Sequence, residues 1–192
     1  MDNREALLGK TPEELRQVVE ELDLPGFTAS QISNWLYQKK VAGIEEMTNL
    51  SKKARAMLQD KYVVGRTTPS RVQTSVDGTK KYLFPAHRNL FIESAYIPEE
   101  NRKTLCVSSQ VGCKMGCLFC MTGKQGFQAQ LSAGEIINQV LSIEECDQLS
   151  NLVYMGMGEP MDNLDQVLKS LQILTSEWGM GWSPRRINVS TI

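Results

Sequence analysis

From Lys103 onward the chain alternates between short apolar runs that suit buried strands and amphipathic stretches that suit helices, which restricts it to a parallel α/β layering. Thr104–Val111 reads as the first strand. A capping box at Ser132-Ala133-Gly134-Glu135 opens a helix, Leu152–Met157 reads as a second strand, a helix runs from about Asn163 to Trp178, and Arg186–Ile192 reads as a third strand. Right-handed crossovers make such strands parallel neighbours. Three strands do not close a barrel, and a parallel sheet is covered on both faces, so the chain is expected to be the amino-terminal portion of a longer protein.

The region before Lys103 has two other textures. Thr11-Pro12-Glu13-Glu14 places an N-cap threonine, a proline at the first helical position and a glutamate at the third, opening a helix with Leu15, Val18, Val19 and Leu22. Thr28-Ala29-Ser30-Gln31 repeats the capping pattern ahead of Ile32, Trp35 and Leu36, and Ser51 caps a third helix carrying Ala54, Met57 and Leu58. Trp35 belongs to the core of this small helical unit. Between Arg66 and Pro98 the period shortens: Val72–Val76, an Asp77-Gly78 turn, Lys81–Phe84 and Leu90–Ile97 read as strands. The chain therefore divides into an all-α unit (1–65), a β-hairpin bridging segment (66–100) and an α/β part (101–192).

Charge narrows the function classes. A formal net charge of −1 argues against a general polyanion binder. From Lys52 to Lys81, however, Lys52, Lys53, Arg55, Lys61, Arg66, Arg71, Lys80 and Lys81 face only Asp60 and Asp77, a local excess of six. Such a stripe is either a solvated face or a footprint for a phosphate backbone. No apolar run reaches the ~18 residues that a membrane span needs, and MDNREALLGK lacks the apolar stretch of a secretory signal, so a cytoplasmic location without membrane attachment is expected.

Three of the five cysteines fall in Cys113-Lys-Met-Gly-Cys117-Leu-Phe-Cys120, on a loop after the first strand. Thiolates are soft ligands for zinc, copper(I) or iron–sulfur clusters, and sites in parallel α/β folds form at the carboxyl ends of strands. Gly112 and Gly116 allow the loop to wrap closely. One reading is an oxygen-sensitive cluster on Cys113, Cys117 and Cys120. The other is a structural zinc site with Cys106, Cys146 or His87 as fourth ligand, within a non-catalytic RNA-binding module. Zinc sites usually pair Cys-x2-Cys knuckles, and here no second knuckle exists. Cys146 reads as a buried helical residue and His87 as a surface one.

Cys-x3-Cys-x2-Cys resembles the defining motif of radical S-adenosylmethionine enzymes. TLCVSSQVGCKMGCLFCMTGKQGF, with VYMGMGEPMDN downstream, resembles the RlmN family of dual-specificity ribosomal and transfer RNA adenine-C2 methyltransferases. The likeness is detailed from about Gly78 to Ile192, and the helical unit is consistent with the family's accessory domain. It implies a partial radical-SAM (β/α) barrel of three strands. It also implies a 4Fe-4S cluster on Cys113, Cys117 and Cys120, whose open iron is chelated by S-adenosylmethionine and which cleaves it when reduced by an external electron donor. Gly158 and Glu159 match cofactor-binding positions, the carboxylate suiting the methionine ammonium, and Ser190 matches a further cofactor contact. Cys106 matches the thiol that resolves a covalent protein–RNA intermediate, and Glu93 a glutamate that manages protons at the modified adenine. Taken bare, Glu159-Pro160 is a helix-start turn, Cys106 a buried strand residue and Glu93 an exposed one.

The resemblance implies ribosomal RNA and tRNA as substrates and a monomer. Pro160, where a C8-modifying relative tends to carry alanine, favours C2 chemistry. The family's methyl-carrying cysteine lies near its carboxyl terminus and has no counterpart in this chain, so the chain alone is expected to hold a cluster without completing methyl transfer.

Overall fold

The computed structural model describes residues 4–192, so the first three residues of the helical unit lie outside it. The chain begins with β1 (Glu5–Ala6) and α1 (Pro12–Glu21). At Thr11 both halves of the capping box form, with the hydroxyl accepting from the Glu14 N–H and the Glu14 carboxylate accepting from the Thr11 N–H. Caps of this kind contribute about 1 kcal/mol. α1 buries Leu15, Val18 and Val19.

α2 (Thr28–Ser33) runs straight into a π-helical turn, Asn34–Gln38. Its capping differs from the sequence expectation. The N-cap is Phe27, no side chain caps it, and Thr28 is buried. The Pro25-Gly26 turn already accepts the N–H groups of Thr28 and Ala29, so the helix needs no hydroxyl at its start. Trp35 packs on the core and donates its indole N–H to Asn49 Oδ1. α3 (Lys52–Lys61), capped by Ser51, leads into β2 (Tyr62–Val63), which pairs in parallel with β1.

The next three strands, β3 (Arg71–Thr74), β4 (Lys80–Ala86) and β5 (Leu90–Pro98), form the antiparallel meander that the Asp77-Gly78 turn signals. They continue into β6 (Lys103–Cys106). After β7 (Gln110–Val111), α4 (Met121–Gln125), β8 (Ala129–Gln130) and α5 (Ala133–Leu141), the chain forms β9 (Asn151–Tyr154), α6 (Leu164–Thr175) and β10 (Ile187–Val189). The six-stranded sheet has the order β10-β9-β6-β5-β4-β3, with β6, β9 and β10 parallel and the rest antiparallel. It is open at both ends, a mixed α/β sheet of which three parallel strands form the barrel-like part.

The continuous strand read over 104–111 is broken. β6 stops at Cys106, and Gln110–Val111 pair instead with β8. Polar groups between them explain the break. Ser109 N–H donates to the Met157 carbonyl at 2.9 Å, and Ser108 Oγ accepts from Met157 N–H at 2.8 Å, so the chain swings over the end of β9. Cys146, expected in a helix, starts a one-turn 3-10 segment after α5 and is buried.

Side chains fasten the helical segment to α5 and α6, the helices that cover the sheet. The Arg66 guanidinium donates to the carbonyls of Lys40 and Leu141 and to Ser142 Oγ, and Lys169 pairs with Glu14 at 2.6 Å. Among the described residues no helix is long and apolar enough to cross a membrane.

Candidate cofactor site

The carboxyl ends of β6, β9 and β10 lie together because these strands are parallel neighbours. The turn after β9 carries the Gly-Met-Gly-Glu-Pro run. Gly158 has φ +99°, and a β-carbon there would stand 2.5 Å from Gln110 Cβ. Glycine is thus required both by backbone conformation and by the close approach of the segment after β6.

Glu159 follows with only 6% of its surface exposed. Its N–H donates to Gln110 Oε1 at 2.9 Å. Its carboxylate accepts from the N–H of Met161 at 3.0 Å and of Ile192 at 3.3 Å. The Glu159-Pro160 start of a 3-10 turn, Pro160–Asn163, is therefore real, and the carboxylate caps it. The Ile192 contact also brings the chain after β10 beside Glu159. Ser190 lies on that stretch, one residue past β10 and exposed.

The cysteine loop projects from the same end. Cys113, Cys117 and Cys120 are free, partly exposed thiols, and Leu118 and Phe119 between them are 93% and 92% exposed. Gly112 has φ +74°, and a β-carbon on it would lie 1.7 Å from the Gly126 carbonyl oxygen, so the two stems of the loop touch. Cys120 is the N-cap of α4, and the N–H of Gly123 foremost, with the N–H and hydroxyl of Thr122, holds its thiol below the ordinary value. Among the described residues, no three His, Cys, Asp or Glu side chains are grouped closely enough to hold a metal ion. Three accessible thiols on one loop nonetheless fit an iron–sulfur cluster by donor chemistry, and among the described residues none of them is in a disulfide.

Glu93 sits on β5 with its carboxylate exposed and 3.4 Å from Lys81 Nζ. It lines a cavity of about 540 Å³ with Asn89, Phe91, Met121, Thr122, Gln125 and Met157, among others. One hollow thus joins the glutamate of the bridging sheet, the helix that follows Cys120 and the turn after β9. Cys106 ends β6 opposite Ala95 and Val153, partly exposed. Burial pushes its thiol up, opposed by the Met155 N–H.

A polar network behind these groups carries little sequence signal. Fully buried Gln110 accepts from Glu159 N–H and donates to Gln130 Oε1 at 2.8 Å and Asp162 Oδ2 at 2.6 Å. Asp162 pairs with Lys114, next to Cys113, at 2.9 Å. Ser108 Oγ donates to the Glu93 carbonyl at 2.6 Å, and Gln139 holds Ser108 and Ser94 from α5. The only hint was Ser-Ser-Gln, polar residues interrupting an apolar run.

Two of the three outside ligands named for zinc have other partners. His87 Nδ1 lies 2.9 Å from Glu135 Oε1, and Cys146 Sγ lies 3.5 Å from Lys40 Nζ. The basic stripe is also partly consumed. Arg66 binds backbone carbonyls, Arg55 donates to the Glu45 carbonyl, Lys80 pairs with Glu144 and Glu145, and Lys81 with Glu93. Lys52, Lys53, Lys61 and Arg71 remain exposed.

Comparison with known proteins agrees with this layout. Residues 6–64 match the family model described as the ribosomal RNA large subunit methyltransferase N-terminal domain, and residues 107–192 match the radical SAM superfamily. A probable dual-specificity RNA methyltransferase RlmN from Phocaeicola vulgatus is 62% identical, covering 97% of this chain and 54% of the relative. Its namesake from Bacteroides thetaiotaomicron is 57% identical over 100% of this chain and 56% of its own length. The chain spans about half the length of these curated relatives. A radical SAM methyltransferase from Sphaerobacter thermophilus, known from its crystal structure, superposes with a TM-score of 0.89 at 37% identity, over 97% of this chain and 57% of that one.

Proposed function

Since the chain belongs to the RlmN family over the stretch it spans, we propose that it provides the cluster-binding and cofactor-binding half of a radical methyltransferase acting on adenine C2 in ribosomal RNA and tRNA. In this reading 1–65 is the accessory domain, 66–100 the bridge and 101–192 the first half of the barrel, within a cytoplasmic monomer served by an external electron donor.

The observation that supports it most is the shared hollow. Glu93, Met157 and the first turn of α4, which follows Cys120, face one cavity, so a base beside Glu93 would sit next to the end of the cysteine loop and the turn after β9. Cys113, Cys117 and Cys120 would hold the 4Fe-4S cluster, which when bound supplies the electron that breaks a carbon–sulfur bond of S-adenosylmethionine. Glu159 would turn its carboxylate from backbone N–H groups to the methionine ammonium, exchanging neutral donors for a charged one. Gly158 leaves room for close backbone approach, and Ser190 would contribute a hydroxyl from just past the third parallel strand.

Glu93 would take or return a proton at the adenine. Its exposed carboxylate, 3.4 Å from Lys81 Nζ, opens on the cavity in which the base would sit. Cys106 would attack the sulfur of a second cysteine that tethers the adenine through its methyl-derived carbon, forming a disulfide as that sulfur–carbon bond breaks and its electron pair leaves with the adenine; the Cys106 thiol proton must leave first, because the thiolate is the nucleophile.

The test is product analysis. The intact protein, reconstituted anaerobically and given a strong reductant, S-adenosylmethionine and tRNA or a ribosomal RNA fragment, should yield 5′-deoxyadenosine and 2-methyladenosine by mass spectrometry. Stoichiometric zinc without iron uptake, or 8-methyladenosine as the product, would overturn the cluster or the regiochemistry respectively.

A further inference from the structure

Resting on that reading, we propose that the Lys114–Asp162 ion pair is a positioning device that sets the cysteine loop relative to the cofactor turn. Between Cys113 and Cys120, among the described residues, the Lys114 ammonium makes the one side-chain hydrogen bond that reaches beyond the loop and the adjoining α4. It meets Asp162 at 2.9 Å (Oδ2) and 3.2 Å (Oδ1), and it also lies 4.5 Å above the Phe127 ring, at the far stem of the loop. One side chain thus touches both the carboxylate beyond β9 and the stem that closes the loop.

Asp162 is itself held from below. Its carboxylate accepts from Gln110 Nε2, its carbonyl accepts from Gln130 Nε2 at 2.7 Å, and its N–H donates to the Glu159 carbonyl. Gln110 completes the path, because its other amide atom accepts from the Glu159 N–H. Three consecutive hydrogen bonds therefore run from the residue beside Cys113 to the residue proposed to grip the cofactor's ammonium. Gln110 is fully buried and cannot exchange these partners for water without exposing polar groups. The exposed end of the path is the weak one. Lys114 is about half exposed, and ion pairs at the surface hold a geometry more than they stabilise a fold. Loss of the pair should therefore misplace the loop while leaving folding intact.

The test uses the intact protein reconstituted with iron and sulfide under argon. Asp162→Asn and Lys114→Met should keep the parent's iron count and melting temperature but weaken S-adenosylmethionine binding roughly fivefold. Binding is read from the change in the electron paramagnetic resonance spectrum of the reduced cluster as the cofactor is titrated. Lys114→Arg, which keeps the ion pair and leaves the bond from Gln110 to Asp162 intact, should bind the cofactor like the parent, an outcome that a general disturbance of the loop at position 114 would not allow. A parent with iron whose Asp162→Asn and Lys114→Met variants bind the cofactor like the parent, or a Lys114→Arg variant no better than Lys114→Met, overturns the positioning role and leaves the proposed function standing. A parent that takes up no iron overturns both.

Discussion

A β-carbon on Gly158 would stand 2.8 Å from the Gln110 backbone nitrogen and 2.5 Å from its Cβ, so the turn after β9 and the segment after β6 meet where no side chain fits. With φ at +99°, alanine there is strained as well as crowded. Gly158→Ala should lose about 2–4 kcal/mol of stability by urea denaturation. It should also weaken cofactor binding beyond what the stability loss accounts for. A variant as stable as the parent would mean that the two segments part easily.

Below the meander, the Glu145 carboxylate accepts from Tyr82 and pairs with Lys80. Burial pushes its pKa up, but the Lys80 and Tyr82 hydrogen bonds outweigh that, and the net value lies below the ordinary 4.5. A group held low in the folded state stabilises the fold above its ordinary pKa and loses that contribution as pH falls through the folded value. Unfolding free energy should thus fall as the pH drops below about 4.5. Glu145→Gln should cost about 1–3 kcal/mol at pH 7 and make the acid limb shallower. A parallel acid limb in parent and variant would count against the assignment.

Cys106 has a thiol raised above the ordinary 9.0 by burial. Its thiolate fraction at pH 7 is correspondingly small, so alkylation by iodoacetamide, followed by peptide mass spectrometry, should be slow at pH 7 and accelerate beyond pH 9. A plateau near neutrality would show that a base close to Cys106 already removes its proton.

Charge reversal separates the exposed bases from the engaged ones. Lys52→Glu, Lys53→Glu and Arg71→Glu should weaken RNA binding and flatten its salt dependence by roughly 0.7–0.9 in slope for each phosphate no longer neutralised. Arg66→Glu should instead lower stability, because its guanidinium joins Lys40, Leu141 and Ser142. An unchanged slope in the triple variant would return these residues to ordinary surface.

What the sequence shows and what it hides divides by distance along the chain. The caps at Thr11, Ser51 and Ser132 and the Asp77-Gly78 turn are local, and each forms as its residues imply. The cysteine spacing and the Gly-Met-Gly-Glu-Pro run are also local, so they could be recognised. The break after Cys106 could not, because Ser108 finds its partner Met157 49 positions away. The basic stripe looked free because the acids that answer it are remote: Glu144 lies 64 positions from Lys80. Gln110 and Asp162 are hidden for the same reason, since their alignment exists only once β6 and β9 are side by side.

The central claim is that Cys113, Cys117 and Cys120 hold an iron–sulfur cluster, and metal analysis of the intact protein reconstituted without oxygen tests it most directly. About four irons and four sulfides per chain, both absent in Cys117→Ala, is the predicted result. One zinc per chain that survives aerobic purification, with no iron taken up, would contradict it.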